Sequence, residues 1–494
     1  MSSVPEISPE EALVVNVRGG ARVCVPPFLN QITPYVLLEQ EDWFEDEIRF
    51  VRAWLQPGMR VVDVGANYGV YTLAAALRVG AAGRVWAIEP TPQCAAFLRR
   101  SLELNGCRQV QLIETVVSDR RGSVRFALKA LSETNAVAAP GEAAVELPAR
   151  TLDELAGELG WSAVDFLKLD VEGHELQAVG GGARFLREHS PLVMIEVQAN
   201  GTFDHAPLER LAALGYAAYR LLPGPLILVP VASGEAWDRF QINLFACKPD
   251  RAAKLAQAGL LAPELRGEDV DPPADAWARY AAAAPYARAF AQRWRSKAGL
   301  FSSGGTAEYF DGLTAFASSR VPDLPAGRRW ALLERAFHAV EASLGPGAPL
   351  RRLSYARLAW ELGRRAVAAQ VLAELGKVVE APLPAGSLVE PFLAPSPRYE
   401  ALAWAPDPAA WLRCAVLEQF ERLRHFSSIF VSDGTELAVV DALARMPQRS
   451  PEMERRAQLL RMVTGRQPGP LPAELLRGRT EENLNQEFWC SPSR

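Results

Sequence analysis

Between about residue 55 and residue 250, short apolar runs alternate with amphipathic stretches, and this alternation limits the fold more than any other property of the 494-residue chain. VVDV (61–64), RVWAI (84–88), VQLIETVV (110–117), DFLKL (165–169), LVMIEV (192–197), AAYRL (217–221) and INLFAC (242–247) have the length and composition of strands. Helical periodicity fills most intervals, in TLAAALRVG, PQCAAFLRRSLELNG, ELQAVGGGARFLREH and APLERLAALG. Buried runs alternating with helices fold as a doubly wound, mostly parallel α/β sheet. The sequence Thr151-Leu-Asp-Glu154 is a capping box that fixes the phase of the helix before DFLKL. A Pro/Gly-rich segment without helical signal joins the last two runs, so they are expected to finish the sheet as an antiparallel hairpin.

The flanks read differently. ALVVNV and ARVCV predict two short strands, and EDWFEDEIRFVRAWL predicts an acidic helix lying across the C-terminal ends of the sheet strands. After Lys248-Pro249 the strand signal largely stops, and helices are expected over 275–297, 326–345, 352–380, 404–425 and 434–466. The chain thus divides into N-terminal strands and a lid helix (1–54), an α/β domain (55–250) and an all-helical domain (251–494). Leu358–Ala366 with Leu372 resembles half of a tetratricopeptide unit, but no second copy is evident, and an ordinary helical bundle is the expectation.

Composition excludes several classes. No apolar run approaches the length of a membrane span, and the N-terminus lacks the pattern of a secretory signal. A net charge of −5 argues against a dedicated nucleic-acid binder. Six cysteines without a CxxC pair or a neighbouring His read as reduced thiols of a cytoplasmic protein. The charge is unevenly spread: residues 1–250 hold 22 Lys+Arg against 31 Asp+Glu, and the remainder holds 31 against 27.

The chemistry is concentrated at the strand ends. Asp63-Val-Gly65-Ala-Asn67-Tyr-Gly69 sits where the first run turns into a helix, and its glycines permit close backbone approach. It is not the dinucleotide fingerprint GxGxxG, and a carboxylate at the strand tip would repel a pyrophosphate. The ammonium of S-adenosylmethionine suits Asp63 better. Glu89 ends the second run 20 residues after Gly69, the position from which an acid holds both hydroxyls of a ribose. Ser118 and Asp119 end the third run, where a polar pair can meet an adenine edge. The fourth run ends in Lys168-Leu-Asp170-Val-Glu172-Gly173-His174, and Glu196 ends the fifth. These carboxylates suit alignment of an acceptor hydroxyl and removal of its proton, with His174 as a second base. Asp170, Glu172 and Glu196 are also a set that divalent cations recruit; no metal is expected, because nothing else demands one.

At these residues the chain resembles the FkbM family of class I S-adenosylmethionine-dependent methyltransferases. The resemblance covers about residues 30–250 and rests on VVDVGANYGVYTL, AIEPTPQ, VVSDRRGSVRF, RTLDEL, DFLKLDVEGHELQAVGGG and the closing NLFA. It implies a seven-stranded Rossmann-like sheet with the last strand antiparallel. It also implies a cofactor site including Asp63, Gly65, Asn67, Gly69, Glu89, Ser118 and Asp119, and an acceptor site near Asp170, Glu172 and His174. The acceptor expected is a hydroxyl on a sugar, glycan or natural product; the alternatives are a peptide amide nitrogen, or a non-catalytic interaction protein built on the helical half. The helical half, which the family core lacks, is expected to cover the acceptor cleft or to dock a carrier or partner protein, and it offers surface for a homodimer.

Overall fold

The computed structural model describes residues 8–466 apart from 130–131, 200–201, 233, 235–236, 266–270, 293, 295–304, 346–347, 381–389, 405–406 and 432–434. Its largest sheet has eight strands in the order Ile227–Pro230, Ala217–Leu222, Asn243–Cys247, Leu192–Glu196, Phe166–Leu169, Arg60–Val64, Arg84–Ile88, Val110–Ile113. The last five are parallel, and Asn243–Cys247 runs antiparallel to both of its neighbours. This is the doubly wound sheet that the alternation predicts, with one addition. ILVP (Ile227–Pro230), inside the Pro/Gly-rich connection, forms an eighth strand on the outer side of Ala217–Leu222. Side chains two apart share a face. Val61, Phe166 and Phe245 therefore pack beneath helices Glu47–Trp54 and Val70–Val79, while Val62, Leu167 and Val193 pack against Leu152–Glu158 and Glu175–Gly181.

The third run is not a single strand. It breaks at Glu114-Thr115, and Val116–Val117 joins a second sheet with Gly122–Ala127, Ala136–Val137 and Val145–Arg150. The hydroxyl of Thr115 donates to the Pro148 carbonyl at 2.9 Å and the Ser118 N–H to that of Arg150 at 2.9 Å, which draws the chain away from the main sheet. The capping box at Thr151 forms as the sequence predicts.

Near the N-terminus Leu13–Asn16 and Arg22–Val25 pair as an antiparallel hairpin. The acidic stretch is not one helix. Helix Ile32–Gln40 ends at Glu41, whose φ of 54° is left-handed, and a loop runs to the start of Glu47–Trp54. It is this loop, rather than a lid helix, that lies over the strand ends.

Beyond residue 250 the longer helices are Thr306–Ser319, Ala326–Ala342, Pro349–Glu361, Arg365–Glu380, Pro408–Arg424, Thr435–Ala444 and Pro451–Val463. The first has no counterpart among the expected helices. The expected 352–380 helix is two, broken at Gly363 with φ 77°. These helices share a core with the sheet edge: Leu222, Ile227 and Val229 are buried in the same cluster as Trp277, Phe316 and Trp411. They also hold the N-terminal segment. Glu39 is fully buried against Arg456 at 2.8 Å and accepts from the backbone and hydroxyl of Ser428, while Gln40 donates to the Phe426 carbonyl at 2.6 Å. No described helix is long and apolar enough to cross a membrane. Five cysteines are free and buried; Cys490 lies outside the described residues.

Candidate active site

In the parallel register Asp63 faces Lys168 across the two central strands, where the winding of the sheet reverses and ligands bind in such folds. Asp170, two residues beyond Lys168, projects on the same side. The Lys168 ammonium therefore lies 2.8 Å from Asp170 Oδ2 and 3.8 Å from Asp63 Oδ1. Burial alone would lower the ammonium's pKa; the Asp170 and Asp63 carboxylates outweigh it and hold the group above its ordinary value. Thr72 donates to Asp63 Oδ2 at 2.6 Å, while Asp63 Oδ1 is buried without a hydrogen bond. Burial pushes the Asp63 carboxyl up, against the pull of Lys168 and Thr72. Asp63, expected to face a ligand ammonium, thus sits beneath the glycine turn with the chain's own ammonium beside it.

The turn has one geometric solution. A Cβ on Gly65, at φ 80°, would stand 1.8 Å from the Asp170 carbonyl oxygen, so only glycine lets the two strand ends meet. Asn67 follows in the left-handed region at φ 47°. Its N–H donates to Glu89 Oε2 at 2.8 Å, and the Thr91 N–H donates to Oε1 at 2.9 Å. Glu89 is buried, and that burial raises its carboxyl despite both donors. A cleft opens here, lined by Gly65, Asn67 and Glu89 and by Asp170, Glu172 and Glu196.

The second group is dense in acid. Asp170, Glu172 and Glu196 offer oxygens that all lie within 4.8 Å of one another. Glu172 occupies the left-handed region at φ 53°, a strained conformation for a residue that bears a side chain. Desolvation, then the Asp170 charge, pushes Glu172 up to about 8 and Glu196 up to about 11. Glu45, from the 41–46 loop, also lines the cleft, accepts from the Tyr71 hydroxyl, and is raised by burial and by Asp170. The three-carboxylate set could hold a divalent cation. Lys168 already supplies one positive charge to Asp170.

Three sequence-predicted residues meet each other but do not line the cleft. Because the third run bends into the second sheet, Ser118 Oγ lies 3.0 Å from His174 Nε2, with Asp119 beside them. Burial lowers the His174 imidazole against the Asp119 charge, so His174 is a neutral partner of Ser118 rather than a base over the cleft. Gly69 lies behind the turn, where a Cβ would meet Leu98 Cδ1 at 2.2 Å. Conversely, sequence reasoning assigned no role to Lys168, to Ser132–Asn135 or to Phe430, all of which line the cleft. Lys168 was within reach: its spacing from Asp170 places both on one face of a strand. Phe430 comes from the helical half, about 260 residues away, and no local signal marks it.

S-adenosylmethionine offers donors, namely an ammonium and ribose hydroxyls. The buried Asn67 Oδ1, which makes no hydrogen bond, and the Glu89 carboxylate are acceptors on the cleft, so the residues present fit that cofactor.

Residues 63–221 match the family model described as the methyltransferase FkbM domain. Protein-L-isoaspartate O-methyltransferase of Aeropyrum pernix is 44% identical over 64 residues, 13% of this chain and 24% of that protein. The 2-O-methyltransferase NoeI of Sinorhizobium fredii is 26% identical over 151 residues, 26% of this chain and 60% of that protein. The chain thus spans about a quarter to three-fifths of the length of these curated relatives. Among solved structures, methyltransferase FkbM from Methylobacillus flagellatus aligns with a TM-score of 0.27 and 19% identity over 38% of this chain and 43% of that one. Residues 63–221 are an FkbM methyltransferase domain, of the S-adenosylmethionine-dependent class.

Proposed function

We propose that this chain transfers a methyl group to a hydroxyl oxygen of a sugar, glycan or other natural product. The observation that carries the reading is the set of three carboxylates within 4.8 Å of one another, in the same cleft as Asn67 and Glu89. The cofactor supplies a methyl group on a cationic sulfonium. Glu89 would hold the ribose hydroxyls and the Gly65–Asn67 turn the amino-acid portion, with Asp63 beneath that turn. Glu172, pushed up to about 8, is matched to accept the acceptor's hydroxyl proton near neutral pH. Glu196, at about 11, keeps its proton there and can donate a hydrogen bond to an acceptor oxygen, while Asp170 aligns it from beside Lys168. The acidic field also favours a developing positive centre. NoeI is named as a 2-O-methyltransferase, which supports oxygen as the acceptor atom.

Calorimetry with S-adenosylmethionine, S-adenosylhomocysteine and NAD tests the cofactor, and absence of heat with the first two sinks the reading. Transfer of labelled methyl groups to a panel of saccharides and peptides tests the acceptor atom. Glu172→Gln is expected to lower turnover while leaving S-adenosylhomocysteine affinity within twofold of the parent.

A further inference from the structure

A second cavity lies between the 41–46 loop and the helical half. Trp43, Phe44 and Glu45 line both this cavity and the active cleft, so the loop is their common wall. Phe44 is held there by Phe426 and Phe430, with ring centroids 4.9 and 6.2 Å away.

The second cavity has the chemistry of a binding site. Gln419, on helix Pro408–Arg424, lines it and is only 4% exposed, yet its amide makes no hydrogen bond to any described residue and faces the cavity. A buried amide in that state lacks a partner that a ligand can supply. Guanidinium groups share the cavity lining with it, beside the carboxylates of Asp42, Glu45, Asp46 and Glu452. Arg365 donates to the carbonyls of Leu423, Arg422 and His425 at 2.8–3.0 Å and lies against the rings of Phe240 and Phe426. No carboxylate of the described residues pairs with it at ion-pair distance, and burial pushes it down to about 10 against the nearby charges of Asp46, Asp238 and Glu47. Arg422 and Arg398 are steered by Glu418 at 3.7 and 3.5 Å, and Arg422 also by Glu452 at 2.6 Å. Glu452 itself lines the cavity beside the guanidinium it pairs with. Trp360 adds a flat apolar surface.

Clustered guanidiniums recognise phosphate and carboxylate oxygens. An unpaired amide answers a hydroxyl, and an aromatic wall suits the C–H face of a sugar ring. We propose that the second cavity binds the acidic end of the acceptor, a phosphate or carboxylate carried on a hydroxyl-bearing ring, across Trp43, Phe44 and Glu45 from the acid cluster. The link to the acceptor rests on the methyl-transfer reading; the anion site does not.

Calorimetry on the full chain tests it with glucose 1-phosphate, glucuronate and glucose, while S-adenosylhomocysteine is titrated separately. At least one acidic sugar is expected to bind tenfold or more tighter than glucose, and the tighter of the two identifies the oxyanion. Gln419→Ala and Arg422→Met are each expected to weaken that binding at least tenfold with S-adenosylhomocysteine affinity unchanged; Gln419→Ala serves if Arg422→Met does not fold. Saturation with S-adenosylhomocysteine is expected to change the acidic sugar's affinity at least threefold, because the two ligands share the loop. No preference for acidic sugars, or indifference to the variants, overturns the anion site. Independent binding of the two ligands overturns its place in the acceptor path. Acidic-sugar binding without S-adenosylhomocysteine binding instead removes the methyl-transfer reading and leaves the anion site standing.

Discussion

Replacing Lys168 by Met tests the electrostatic centre of the site directly. The ammonium is 5% exposed, 2.8 Å from one Asp170 oxygen and 3.8 Å from one Asp63 oxygen. At an effective dielectric of about 20 these distances correspond to gross attractions of about 6 and about 4 kcal/mol. Desolvation of the ammonium offsets much of that, and Asp170 is a third exposed, which weakens its share. Removing one partner of a buried pair leaves an uncompensated charge, so a net loss of about 3–5 kcal/mol is expected at pH 8. The pH dependence follows from the carboxylates. Lys168 has a raised folded pKa, so its contribution is fully present below its ordinary value and therefore throughout pH 5–8. In Lys168→Met, Asp63 loses its cation and its already raised folded pKa rises further. Its ionisation then opposes folding increasingly as pH climbs above the unfolded carboxyl value. The deficit is expected to be small at pH 5 and full at pH 8, and Asp63→Asn in the same chain should recover part of it. Urea unfolding followed by circular dichroism at the two pH values measures this. A loss below about 1 kcal/mol at pH 8, or one equal at both pH values, refutes the reasoning.

Other outcomes follow from particular contacts. Glu89→Ala is expected to cost about 1.5–3 kcal/mol of S-adenosylhomocysteine affinity, read by calorimetry; an unchanged affinity means Glu89 does not hold the ribose. Gly65→Ala places a methyl 1.8 Å from the Asp170 carbonyl oxygen at positive φ and should cost more than about 3 kcal/mol, seen as lost soluble yield and a lowered urea midpoint. Arg456→Met leaves Glu39 buried without its cation, an expected loss of about 3–5 kcal/mol that hydrogen exchange should localise to residues 32–46. Activity, once an acceptor is in hand, is expected to survive EDTA, since Lys168 already supplies a positive charge to Asp170.

The parts of the fold that sequence reveals are those governed by local period. Strands Arg60–Val64, Arg84–Ile88, Phe166–Leu169 and Leu192–Glu196 are buried runs between helices, and the glycine turn after Asp63 requires φ values that few other residues adopt. What it hid depends on distant partners. VQLIETVV reads as one strand because nothing local shows that Thr115 and Ser118 bond to Pro148 and Arg150. Position at strand ends puts Ser118 and Asp119 with the cofactor and His174 with the acceptor, but the bend brings Ser118 to His174 and none of the three lines the cleft. The acids of the lid divide in the same way. Glu45 lines the cleft, whereas Glu39, Glu41 and Asp42 pair with Arg456, Arg455 and Arg52. The excess of acid in the first half and of base in the second is therefore partly a matched set, joined across the interface.

The eighth strand closes what would otherwise be an open end of the sheet. The Leu228 N–H donates to Leu260 at 2.8 Å and its carbonyl accepts from Ala262 at 2.8 Å, so the chain leaving the α/β domain lies along the outer side of Ile227–Pro230 as a protecting rail. Edge strands are templates for pairing with other chains, and proteins commonly blunt them with charge or proline. Here the connector to the helices does it, and burial of Ile227 and Val229 under those helices completes the cover. Cutting the chain near residue 250 would strip both layers at once and leave a flat, apolar strand open to its own copies. A catalytic fragment made that way is expected to aggregate through this strand, even with every residue of its cofactor turn intact.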